Sequence, residues 1–123
     1  MTPVLVDSNV LLDVATENPE WGAWSGDALA RLGDKAMLVI NAVIYAEVSI
    51  RYETIEEVEL ALPVGQFARE ALPYEAAFLA GKAHVRYRQR GGTRVSPLPD
   101  FFIGAHAAVA GYRLLTRDAT RYR

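Results

Sequence analysis

PVLVDSNVLLD, from Pro3 to Asp13, is the stretch on which the fold turns. Val4, Leu5 and Val6 run without interruption into Asp7, and the polar pair Ser8-Asn9 follows before apolar residues resume. A short apolar run bounded by turn-forming residues is what a strand buried on both faces looks like. The run places a carboxylate at the point where a strand leaves the core.

Working outward, the same arrangement recurs. MLVI (Met37 to Ile40) is a second buried strand, and Asn41 after it is placed to cap a helix over AVIYAEVSIRYE. YRLLT (Tyr112 to Thr116) is a third, followed by RDATRYR. Helical spacing of apolar residues covers Trp21 to Leu32, with Gly33 as its stop, and NVLLDVATEN opens with a turn into a first helical stretch. IEEVELAL forms another helix ending near Pro63. After a loop containing Pro73, YEAAFLAGKAHVRYRQR runs helically to Gly91-Gly92. VSPLP reads as an extended, proline-stiffened approach to the helix DFFIGAHAAVAG, which Gly111 closes. Uniformly apolar strands alternating with helices predict a short parallel sheet covered on both faces, a three-layer α/β/α sandwich. In such sheets ligands sit beyond the carboxyl ends of the strands, where strand order reverses.

Composition narrows the chemistry. The 123 residues are 51% hydrophobic and 23% charged, which fits one globular domain, residues 1–123. With no cysteine, disulfides and thiolate metal sites are excluded, so any metal must be held by oxygen or by the two histidines. No apolar run approaches the roughly 20 residues of a membrane span, and no basic-then-apolar leader opens the chain, so a cytoplasmic protein is expected.

The net charge of −2 hides a strong asymmetry. Residues 1–75 hold 13 acids and 4 bases, whereas residues 76–123 hold 2 acids and 9 bases, so the halves differ as −9 against +7. A basic half points to an anionic partner or a charge-matched interface. Its two acids are Asp100 and Asp118.

Asp7 ends the first strand, and Asp118 lies two residues past LLT. Glu47 sits in the second turn of the helix leaving MLVI, and Asp100 begins the helix after SPLP. All four fall near the carboxyl-end rim of one parallel sheet. Singly, each has a plainer role: Asp7 as a turn cap, Asp100 as a helix N-cap, Glu47 on a solvent face and Asp118 in a surface turn. Together, four carboxylates would repel one another unless a cation joined them. Mg²⁺ and Mn²⁺ favour oxygen donors and accept one or two carboxylates when a substrate phosphate supplies the rest. Metal-assisted hydrolysis of a phosphodiester is the chemistry that follows.

VDSNVLLD, then NAVIYAEV, then LPDFFIGAHAAVAGYRLLTRD resemble, in this order, the blocks of PIN-domain proteins, most closely the VapC-type toxin ribonucleases of type II toxin–antitoxin systems. The likeness runs from Val4 to Arg123, and its last block is the most specific. The resemblance implies a Mg²⁺- or Mn²⁺-dependent endoribonuclease whose metal-binding and catalytic residues are Asp7, Glu47, Asp100 and Asp118. It also implies a polar shell of Asn9, Thr116 and Ser8 that orients those carboxylates. An RNA substrate, a cognate antitoxin that inhibits by inserting a segment toward the acidic pocket, and a homodimer are implied as well. Relatives of this kind usually continue into a final edge strand, which this chain is expected to lack.

Lys82, Arg86 and Arg90 recur every four residues, on one helix face, with Arg88 and Arg94 nearby. The stripe reads as a solvated face, as a wall for RNA phosphates beside an acidic site, or as a seat for an antitoxin peptide. Tyr87 and Tyr112 are candidates for base stacking or for packing, and Trp21 and Trp24 for core, dimer or antitoxin contact. His106, in a helix of small residues, reads as a hydrogen-bonded structural histidine. Two other classes compete. A haloacid-dehalogenase-like phosphatase would use Asp7 as nucleophile but wants a second aspartate where Asn9 stands. A non-catalytic nucleic-acid- or protein-binding module would use the acids structurally.

Overall fold

The computed structural model describes residues 1–92 and 98–118. Four strands and six helices alternate along it. They are β1 (Val4–Val6), α1 (Ser8–Ala15), α2 (Gly22–Gly33), β2 (Leu38–Ile40), α3 (Ala42–Ser49), α4 (Ile55–Ala61), β3 (Phe67–Arg69), α5 (Tyr74–Gln89), α6 (Leu98–Ala110) and β4 (Arg113–Leu115). The strands form one sheet in the order β3-β2-β1-β4, and every pair is parallel. The expected α/β/α sandwich is the architecture found.

Topology follows from chain order. From β1 the chain steps outward to β2 and β3, then returns across the sheet to pair β4 with β1 on the other side. Parallel crossovers are right-handed, so reversing direction moves the connecting helices to the opposite face. Helices α1 to α4 cover one face and α5 with α6 the other; α5 packs along α6, and α1 against α2. Strand order reverses between β1 and β4, which makes the carboxyl ends of these strands the expected ligand position.

The core explains why β1 is so apolar. Leu5, Val6 and Val39 are fully buried, as are Ile44 of α3 and Ile103 of α6, which approach from the two helical layers. Truncating one such side chain to alanine costs about 2–5 kcal/mol through lost transfer energy and residual cavity. Asn41 caps α3 as expected, its side-chain oxygen accepting from the Ile44 amide at 2.9 Å. Gly111 closes α6 at φ +72°, a conformation only glycine adopts without strain.

Two expectations need correction. The segment Phe67–Arg69, read as loop, is the edge strand β3; its burial falls from Phe67 outward, so it carries no continuous apolar signal. The helix expected to begin at Asp100 begins at Leu98, because proline is tolerated within a first turn, where its missing N–H has no partner to lose. Asp100 is therefore the third helical residue and not the cap. Of the basic residues singled out, Arg94 lies outside the described residues.

Candidate metal centre

Asp7 occupies the N-cap position of α1 in extended conformation, yet its side chain makes no capping bond. It is completely buried. Its Oδ2 accepts a 2.9 Å hydrogen bond from the Thr116 hydroxyl, and the Ser8 hydroxyl lies 3.4 Å from Oδ1. The Asp7 amide donates to the Leu115 carbonyl at 2.9 Å, so backbone and side chain are both fastened to the strand-end of β4. The turn-cap reading of Asp7 is thus excluded by geometry.

Thr116 is the hub of this frame. It gives its one proton to Asp7, and its oxygen accepts from Asn9 Nδ2 at 3.2 Å and from the Asp118 amide at 3.1 Å. Asn9, expected in the polar shell around the carboxylates, reaches Asp7 through Thr116. Its Oδ1 is buried with no hydrogen-bond partner among the described residues. Ser8 donates to Glu47 Oε1 at 2.8 Å, which is shorter than its approach to Asp7 and is the bond its single proton serves. Glu47, half-buried in the second turn of α3, therefore faces α1 and not open solvent.

Thr116 ties Asp7 to the Asp118 backbone, and Ser8, the residue after Asp7, holds Glu47. Asp100 is buried in the first turn of α6 and lines a cavity of about 700 Å³. Among the described residues, no three acidic or histidine side chains are grouped closely enough to share one ion. The donor chemistry nonetheless fits a hard divalent cation. Mg²⁺ is commonly held by one or two carboxylates plus substrate phosphate oxygens, and hydroxyl-oriented carboxylates are the frame such ions require.

Lys82 and Arg86 line the same cavity as Asp100, together with Phe78, Leu79 and Phe101. Two residues of the basic face of α5 therefore share a cavity with Asp100. Arg90 is exposed beyond the last turn. Tyr87 is committed to packing, its ring against Phe101 at 5.9 Å and so close to Gly92 that a Cβ there would collide.

A second depression, about 660 Å³, is lined by Ser8, Asn9, Glu47, Arg51 and Arg117 among others. Neither arginine was singled out from the sequence. Arg117 Nε donates at 2.8 Å to Asp13 Oδ2, and the same oxygen accepts from Ser25 Oγ at 2.8 Å. The guanidinium lies 5.6 Å from the centre of the Trp21 ring. These contacts join residues 104 positions apart, and no local pattern announces them.

His106 has the structural role expected. Asn41 Oδ1 is engaged by the Ile44 amide, so its Nδ2 donates to His106 Nδ1 at 2.9 Å. The ring proton is then on Nε2, 3.8 Å from Glu70 Oε1. Burial holds the His106 pKa below its ordinary value, only partly opposed by Glu70. Tyr112 donates to Glu70 Oε2 at 2.6 Å, a bond that raises the phenol pKa, and its ring centre lies 6.2 Å from that of His106.

A parallel four-stranded sheet with an acidic rim at its switch point defines a class, and sequence comparison gives it a family. The PIN-domain family model matches residues 4–123, and the chain belongs to that family. No curated protein matches the chain in sequence. Among solved structures, the chain is similar to VapBC2 from Rickettsia felis bound to a promoter DNA fragment, with TM-score 0.72 and 15% identity over 98% of this chain and 90% of that one. It is likewise similar to VapBC-1 from nontypeable Haemophilus influenzae, with TM-score 0.71 and 16% identity over 98% and 90%. A toxin–antitoxin complex from Klebsiella pneumoniae gives TM-score 0.69 and 21% identity over 97% and 89%. Among the described residues, no helix is long and apolar enough to cross a membrane.

Proposed function

We propose that the protein is a Mg²⁺- or Mn²⁺-dependent endoribonuclease, the toxin of a toxin–antitoxin pair, acting as a homodimer and inhibited by a cognate antitoxin. The observation that carries this reading is Asp7: a buried carboxylate at a helix start that does not cap its helix and is held instead by the Thr116 hydroxyl at the sheet's switch point. Membership of the PIN family and likeness to toxin–antitoxin complexes support the same reading.

Asp7, with Glu47, Asp100 and Asp118 as further donors, would hold the cation. When bound, the cation supplies an activated water and neutralises charge on the leaving oxygen of an RNA phosphodiester. The chain's own residues do the positioning. Thr116 and Ser8 hold carboxylate oxygens in fixed directions, and Asn9 holds Thr116. Lys82 and Arg86 meet the phosphates that a bare acidic rim would repel. The phosphatase alternative fails on Asn9, whose amide is committed to Thr116 and has no proton to give a leaving group.

The test maps cleaved sites on total RNA after controlled expression of wild type and Asp7→Asn. Cleavage by wild type alone, lost with EDTA in a purified assay, supports the reading. Equal RNA profiles from both, with folded protein and added Mg²⁺ or Mn²⁺, would sink it.

A further inference from the structure

Thr116, Arg117 and Asp118 follow β4 directly, and Arg117 among them lines the second depression. Between the hub Thr116 and Asp118 lies Arg117, whose side chain reaches α1 and the start of α2. There it meets Asp13, a carboxylate 3% exposed in the last turns of α1. The Nε–Oδ2 bond is 2.8 Å, within the range of charge-assisted bonds. The guanidinium also lies over Trp21, just before α2. Asp13 is in turn fixed by Ser25 of α2 through the same oxygen.

These contacts form one chain of fixed groups: α2 to Asp13, Asp13 to Arg117, and the backbone from Arg117 to both Thr116 and Asp118. The Asp118 amide bonds to Thr116 Oγ1, and Thr116 Oγ1 bonds to Asp7. A shift of the turn would break both bonds together. We infer that the pair of half-buried Arg117 with buried Asp13 is a positioning device that locks the Thr116–Asp118 turn against α1 and so sets the direction of the Asp7 carboxylate. Arg117 does not touch the reacting atoms; it acts through Thr116 and Asp118. This rests on the metal-site reading for its functional consequence, while its structural part stands apart from any metal.

The experiment separates positioning from mere stability by using the shared acceptor. Ser25→Ala removes the other donor on Asp13 Oδ2 but leaves the turn clamped, whereas Arg117→Met and Asp13→Asn release it. Amide hydrogen exchange, measured on metal-free protein, reads the Asp118 N–H directly. Arg117→Met should speed exchange at Asp118 at least tenfold, and Ser25→Ala should leave it near wild type. Calorimetric Mn²⁺ titration of the same proteins should show roughly 10–100-fold weaker binding for Arg117→Met and Asp13→Asn, and little change for Ser25→Ala. The double variant Asp13→Asn/Arg117→Met should be no worse than either single one, because both break one link; it also avoids a buried unpaired carboxylate should Arg117→Met alone fold poorly.

Unchanged Asp118 exchange in Arg117→Met or in the double variant overturns the inference. So does a Ser25→Ala protein that loses as much exchange protection and Mn²⁺ affinity as Arg117→Met. Wild-type protein that binds no Mn²⁺ overturns the metal reading, and the exchange result then decides the positioning claim on its own.

Discussion

Thr116 Oγ1 donates to Asp7 Oδ2 at 2.9 Å, joining residues 109 positions apart. The bond couples the ends of two neighbouring parallel strands and uses the only proton the hydroxyl has. Thr116→Val, which keeps shape and removes the hydroxyl, should therefore leave the Asp7, Asn9 and Asp118 groups each short of a partner. We expect a stability loss of about 1–3 kcal/mol by urea unfolding. Mn²⁺ affinity should fall roughly 10–100-fold by calorimetry. Thr116→Ser should keep most of both; equal behaviour of the two variants would refute the hub role.

Asp7→Asn keeps the size of the side chain and one acceptor oxygen but removes the charge. RNA cleavage should disappear, circular dichroism should remain native, and Mn²⁺ binding should weaken by at least tenfold. Retention of cleavage in this variant would place the chemistry elsewhere.

Lys82 and Arg86 border the Asp100 cavity on a part of the surface poor in acids. In an Asp7→Asn background, where RNA is not consumed, binding of a labelled oligoribonucleotide should weaken with rising salt. Lys82→Gln and Arg86→Gln should each reduce the log–log salt slope by about 0.7, the value for one lost single-strand phosphate contact. Unchanged slopes would return both residues to the status of a solvated face.

His106 is neutral in the folded protein, with a pKa held below the ordinary 6.5 by burial. The unfolded chain then binds more protons in the window between the lowered folded value and 6.5, so stability rises with pH there. It is fully present above 6.5 and is lost as pH falls through the folded value. Protonating Nδ1 would also break the Asn41 bond. Urea unfolding of wild type at pH 7.5 and pH 5 should show this loss, and His106→Gln should remove its share; an identical pH profile for both proteins would contradict it.

Much of this architecture is written locally. The strand VLV, the Asn41 cap and the Gly111 stop each depend on a few adjacent residues, so pattern and propensity expose them. Phe67–Arg69 escapes because an edge strand buried at only one end carries neither an apolar run nor a clean alternation. The start of α6 escapes because a proline that usually signals extended chain can equally occupy a first turn. The carboxylates were visible through their positions after strands, but the bonds that orient them were not. Thr116 was legible as a polar neighbour and not as the hub, since that depends on β4 lying beside β1. The Asp13–Arg117 pair lies wholly in tertiary structure: nothing near either residue distinguishes it from an ordinary helix acid and an ordinary turn base.

The pairing of β1 with β4 has a consequence in time. During synthesis Asp7 emerges with the first strand, but the strand that supplies the Leu115 carbonyl and the Thr116 hydroxyl is made after the other three. A growing chain can complete β1, β2 and β3 and still lack one side of the strand on which Asp7 sits. The candidate site therefore comes together only once β4 has been made, and a chain still short of β4 carries Asp7 without the Thr116 contact that directs it.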